Sequence, residues 1–277
     1  MAKIAIITDS SCDLPDDLLT ELDIHVVPLK IRIDGNEFID KVDLSTKEFW
    51  SKSRLSNSLP ETAAPSPGDF LQVFQQCASN GYEAILCLTI SSELSATYQS
   101  AMTASKDSGL TIPIEVIDSR QVTIALGLIV VRAARSAKQD NFETVIQQAR
   151  DSISKIIALG TLDTLENLKK GGRIGSAQAF LGSVLSIKPV VQIINGKVEA
   201  ESRQRTRSKA LNHLIEVMRE VNGVNQIGIA HAQASDIDQF LDKVRNDFTQ
   251  AEIIVSEMGA VLGTHVGPGT IAMVASS

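Results

Sequence analysis

The stretch "KIAIITDSSCDLPDDLLTEL", residues 3–22, decides the fold. An isoleucine-rich run over residues 3–8 ends in a polar loop, and Pro15 then stands in the first-turn position before "LLTEL". A short apolar run bounded by turn residues reads as a strand, and the proline-led segment reads as a helix. The unit repeats downstream. "IHVVPLKIRI" (24–33) reads as a second strand, "AILCLTI" (84–90) as a third and "IPIEVI" (112–117) as a fourth. Between them, "PSPGDFLQVFQQCASNG" (65–81) carries a full helix-start signal, with Ser66 as N-cap, Pro67 in the first turn and Asp69 three residues on. "VTIALGLIVVRAARSAKQ" (122–139) and "NFETVIQQARDSISKI" (141–156) read as further helices. Continuous apolar strands alternating with helices imply a parallel sheet covered on both faces.

Beyond residue 156 the texture changes. A helical run closes on Gly171-Gly172, a strand follows, and Asn195-Gly196 stands between two apolar runs, the strongest short hairpin signal. "QIGIAHA", "AEIIVSEM" and "TIAMVAS" add strands, so the second half reads as a mixed sheet with helices on one side. The expectation is an α/β protein of two domains, a parallel-sheet domain over residues 1–158 and a mixed α/β domain over 159–277.

Composition narrows the partners. The chain has 277 residues, 43% of them hydrophobic, and a formal charge of −7, so it lacks the basic field that neutralises phosphates along a nucleic acid. Cys12, Cys77 and Cys87 are odd in number and widely spaced, which argues against a disulfide framework and a zinc site and fits a reducing cytoplasm. The longest apolar stretch, residues 122–131, is shorter than a bilayer span, and residues 1–11 are interrupted by Asp9 too early for a signal segment. A soluble, cytoplasmic protein with no nucleic-acid partner is expected.

In open α/β sheets ligands bind outside the carboxyl ends of the strands, and there this sequence places hydroxyls: "TDSS", "ISSELSATY" and "IDSRQ". Each cluster taken singly is an ordinary helix cap. No GxGxxG, GxxxxGK[ST] or GxSxG motif occurs. His265 is expected in a glycine-rich loop, "GAVLGTHVGPGTIAM" (259–273), between two apolar runs. Hydroxyls, one imidazole and glycine N–H groups make poor covalent machinery but a good cradle for a carboxylate. A hydrocarbon tail on that carboxylate would contribute about 0.8 kcal/mol per buried methylene. His25, His213 and His231 read as packing or surface groups.

Taken together, "TDSSCDL" (8–14), "TAAPSPGDF" (62–70), "ISSELSATYQSA" (90–101), "IDSRQVTIALG" (117–127), "TLENLKKGGRI" (164–174) and "LGTHVGPGTIAM" (262–273) resemble the DegV family over nearly the whole chain. Members of that family include the fatty-acid-binding subunit of bacterial fatty acid kinase. The resemblance implies two α/β domains with an acyl chain in a tunnel, no cofactor, and a carrier that presents the carboxylate of a long-chain fatty acid to a separate kinase subunit. No stable membrane insertion is implied, and membrane contact only as a transient step of lipid exchange. It also implies carboxylate contacts at Thr62 and His265 and at a serine of "ISSELS", either Ser92 or Ser95. The sequence departs from the family pattern at Ala63 and Ala64, where Ser-Gln is usual, and at Ala96, where glycine is usual.

Two basic stretches remain. "LKKGGRIG" (168–175) reads as a helix end, with Gly171 in the left-handed position and Arg173 unexplained by capping. "RQRTRSKA" (203–210) alternates Arg203, Arg205, Arg207 and Lys209, which reads as a solvated face or as a docking patch for an acidic partner. The resemblance implies that Arg173 and this segment, Arg203 and Arg205 in particular, serve the kinase contact or the phosphate. The alternatives to a carrier are an acyl- or phosphoryl-transfer enzyme, with His265 as base and Ser92 or Ser95 as nucleophile, and a lipid-sensing regulator without a kinase partner.

Overall fold

The computed structural model describes residues 2–181 and 187–277. Two sheets dominate. The first is parallel, in the order Ile24–Val27, Ile4–Asp9, Ala84–Thr89, Ile114–Asp118. The second is mixed and six-stranded, in the order Lys197–Gln204, Lys188–Ile194, Ile156–Thr161, Ile271–Ser276, Gln226–His231, Glu252–Glu257. A small antiparallel sheet, Asn36–Ile39, Lys30–Ile33 and Glu61–Ala63, completes the fold.

"IHVVPLKIRI" is therefore two strands in two sheets, not one. Pro28 has no N–H to give a ladder, and the chain leaves the parallel sheet at Val27 to enter the small sheet at Lys30. The expected helix start at Ser66 is present, with a capping box between Ser66 and Asp69. The Asn195-Gly196 turn joins an antiparallel hairpin. The expected division at 158/159 falls inside the strand Ile156–Thr161, which lies whole in the six-stranded sheet.

The helix Thr123–Ala137 is the keystone. Twelve of its residues are buried, because it lies between the sheets and packs on both. Residues of both sheets share one apolar core with it, including Ile4, Ile6 and Leu86 on one side and Ala158, Ala230 and Val274 on the other. Close approach to the second sheet requires Gly228, where a Cβ would sit 2.8 Å from Ile124 Cγ1. The helices Arg207–Arg219 and Ile237–Asp247 cover the opposite face of the six-stranded sheet. That sheet is thus covered on both faces, not on one side as its local sequence implies. Helices Pro67–Ser79 and Thr97–Asp107 cover the outer face of the parallel sheet.

The sheets are tied at the hairpin tip, where Ser91 Oγ donates to Gly196 O at 2.7 Å and Arg120 donates to Asn195 O. Among the described residues no helix is long and apolar enough to cross a membrane.

Candidate functional site

Beside the start of the keystone helix the two sheets enclose a cavity. Its walls are apolar: Ile90, Val122, Ala158, Ile193, Leu262 and Val274 contribute from six different elements or loops. Polar groups are few, and Thr62, Ser95, Thr123, Arg173 and His265 are among them.

His265 does not lie in a loop. Residues Ala260–Val266 form a helix, and His265 is on its last turn. The glycine-rich segment begins only at Gly267, whose φ of 74° ends the helix. A seven-residue helix has little stability of its own; Phe49 and Trp50 of the helix Thr46–Leu55 hold it by packing where a Cβ on Gly263 would sit 2.6 and 2.8 Å away. Trp50 Nε1–H also donates to Met258 O at 3.1 Å.

The helix brings His265 to Thr62, which the small antiparallel sheet delivers from the other side. Their Oγ1 and Nε2 atoms are 2.9 Å apart. Nδ1 is buried without a hydrogen-bond partner among the described residues, facing Gly171, where a Cβ would stand 2.5 Å from it. Burial, and secondarily the positive charge of Arg173, hold the His265 pKa down at about 4. The ring is neutral at pH 7, so one nitrogen carries a proton and the other a lone pair.

Arg173 is at the cavity rather than on an outer surface. Its Nε–H donates to Leu94 O at 3.1 Å and its Nη1–H to Gly171 O at 2.6 Å. No described carboxylate pairs with it. Gly172, with φ 72°, takes the left-handed position that the sequence suggested for Gly171, which has φ −76°.

The two candidate serines separate. Ser95 lines the cavity, with Oγ 2.8 Å from Thr97 Oγ1. Ser92 is exposed, and its hydroxyl donates to Asp118 Oδ2 at 2.5 Å while its N–H donates to Oδ1 of the same carboxylate. Neither is hydrogen-bonded to His265. The "TDSS" cluster is structural: Ser10 Oγ accepts from Leu29 N–H, and Ser11 bonds Asp9. Arg203 is exposed, donates to Ala179 O at 2.7 Å and lies over the Phe180 ring. Arg205 is exposed, while Arg207 forms a bidentate pair with Asp236. His213 pairs with Glu201, and His25 contacts Tyr82.

The DegV family model matches residues 3–277. The chain belongs to the DegV family. A DegV domain-containing protein of Caldanaerobacter subterraneus, TTE1491, is 33% identical over 276 residues, covering 97% of this chain and 96% of that one. A fatty-acid-binding DegV family protein from Thermus thermophilus superposes with a TM-score of 0.91 at 33% identity, with all of both chains covered. A stearic-acid-binding protein from Eubacterium ventriosum gives 0.91 at 26% identity, covering 100% of this chain and 98% of that one. The DegV fold thus accounts for the parallel and the mixed sheet.

Proposed function

We propose that this DegV protein binds a long-chain fatty acid in the intersheet cavity and presents its carboxylate to a separate kinase that forms the acyl phosphate. One observation carries the reading. At one end of an apolar cavity stand a neutral His265 bonded to Thr62, the hydroxyl of Ser95, and a half-buried Arg173 with no described carboxylate partner. A carboxylate entering between Thr62 and His265 would accept from Oγ1–H and Nε2–H in place of their mutual bond. The uncompensated guanidinium favours an anion there over a neutral head group. The remaining walls suit a hydrocarbon chain, whose burial supplies on the order of 10 kcal/mol before ordering costs. The fatty acids named for the Thermus and Eubacterium relatives support the same ligand class.

Presentation to a kinase rests on the family resemblance of residues 164–174 and 203–210. The exposed Arg203 and Arg205 offer positive charge to an acidic partner surface. A serine nucleophile activated by His265 finds no support in the geometry, since the imidazole is engaged with Thr62. Native mass spectrometry of the purified protein, followed by identification of the released molecule, tests the reading. A stoichiometric fatty acid is expected; an empty protein that also fails to take up oleate or palmitate refutes it.

A further inference from the structure

Asp13 does not line the cavity, yet it touches two of its walls. It follows the first strand, is 1% exposed, and adopts a left-handed φ of 49°. Its Oδ2 accepts from Thr123 Oγ1–H at 2.7 Å and its Oδ1 from Gly259 N–H at 2.8 Å. Each donor belongs to a different part of the lipid site. Gly259 immediately precedes the helix Ala260–Val266 that carries His265, and its N–H has no partner within that helix. Thr123 begins the keystone helix and itself lines the cavity, with φ of 48°. That conformation is an outlier for a β-branched residue and persists only where the surroundings enforce it. In that conformation its hydroxyl reaches the Asp13 carboxylate.

We propose that Asp13 is a positioning residue of the lipid site: by bonding Thr123 and Gly259 at once, its carboxylate fixes the wall that carries His265 against the wall that begins at Thr123. The inference rests on the fatty-acid reading for its affinity readout, but not for its structural one. Several charged groups face this carboxylate. Lys41 lies beside it, with Nζ 3.3 Å from Leu14 O and 3.8 Å from Asp16, and Asp40, Asp9 and Cys12 are buried around the same loop. Burial pushes the Asp13 carboxyl up to about 7, with Lys41 opposing the shift. On protonation, one carboxyl oxygen becomes a donor, and the paired acceptance from Thr123 and Gly259 weakens.

Asp13→Asn keeps the shape of the side chain and removes its charge at every pH. Two readouts decide its role. In the lipid-free protein, the ¹⁵N resonances of the His265 ring are expected to shift in Asp13→Asn while the melting transition stays cooperative. For oleate, wild-type affinity is expected to fall about tenfold from pH 8 to pH 6, and Asp13→Asn to be weak at pH 8 and flat across that range. Thr123→Val, which deletes one donor and retains both the carboxylate and the branched shape, is expected to act in the same direction and not additively with Asp13→Asn; it carries the test should Asp13→Asn fail to fold. Unshifted His265 resonances in the folded variant overturn the proposal, whatever the affinity does. A wild-type protein that takes up no oleate overturns the fatty-acid reading instead, and the resonance test of Asp13 still stands.

Discussion

Gly171→Ala tests the site at the point of closest approach. Gly171 has φ −76°, an ordinary right-handed conformation, so alanine meets no backbone strain there. Its Cβ would lie 2.5 Å from His265 Nδ1, 3.1 Å from Cε1 and 3.1 Å from Asn167 O. Reaching an ordinary 3.4 Å contact requires the ring to move by about 0.9 Å (3.4 − 2.5). The Nε2···Oγ1 pair, at 2.9 Å, cannot absorb such a shift: the atoms either collide or separate past hydrogen-bond range. With the ring displaced, a bound carboxylate loses one of its two paired donors, Nε2–H, and a hydrogen bond to a charged group is worth about 2 kcal/mol, roughly 30-fold in affinity. Oleate titration can be followed through Trp50, the single tryptophan of the chain, which packs against Gly263 two residues from His265. A folded Gly171→Ala protein that binds oleate within threefold of wild type refutes the reasoning, because it would show that the lipid head does not use His265 as placed.

The His265 pKa, held down at about 4 against 6.5, makes the folded state bind fewer protons than the unfolded chain between those values. Stability from this group is therefore whole above pH 6.5 and falls as pH drops toward 4, by about 3 kcal/mol. Asp13 and Asp40, raised to about 7 and about 6, slope the opposite way, so denaturant titrations should compare wild type with His265→Gln; identical pH slopes would deny the buried neutral ring. Ala158→Leu adds about three carbons to the cavity wall, which should weaken oleate roughly 50-fold; an unchanged oleate affinity in the folded variant would place the tail elsewhere. Arg205→Ala should leave oleate affinity within twofold and lower kinase-dependent acyl phosphate formation severalfold, since this side chain is exposed and does not line the cavity. Arg173→Ala should lower both, because its guanidinium is part of the cavity wall; unaltered turnover in Arg205→Ala would remove the docking role.

Much of the fold was legible because its signals are local. The Ser66–Asp69 capping box, the Asn195-Gly196 hairpin and the apolar strands at residues 4–9 and 84–89 each depend on a few neighbouring residues. What was misread depends on contacts far along the chain. The helix Ala260–Val266 has too few residues to declare itself and needs Phe49 and Trp50 to hold it. The strand Ile156–Thr161 follows directly on the helix ending at Lys155, with no turn residue to mark the change. The second face of the six-stranded sheet is covered by a helix from the other half of the chain, which no local pattern can announce.

The site shows the same divide between residue type and placement. Thr62 and His265 are 203 positions apart, and only a match to a known pattern could pair them before the fold was seen. Position alone left Ser92 and Ser95 as alternatives, with Ser92 the nearer to the strand end. The structure instead gives its hydroxyl to Asp118, which also accepts from the N–H groups of Ser92 and Arg120 and so braces the two loops together. A hydroxyl already committed to a carboxylate is a poor donor for a second one, whereas Ser95 Oγ is paired with the Thr97 hydroxyl, whose proton can turn, and accepts from the Thr97 N–H at 3.4 Å. Arg173 follows the opposite course: charge in an acidic chain implies exposure, but two backbone carbonyls, those of Leu94 and Gly171, each take one of its five N–H donors and hold it at the cavity. Because carbonyls neutralise none of its charge, the guanidinium adds to burial in lowering the His265 pKa, and under the proposed function it would favour an anionic head as well as serve the kinase contact or phosphate that the family resemblance implies.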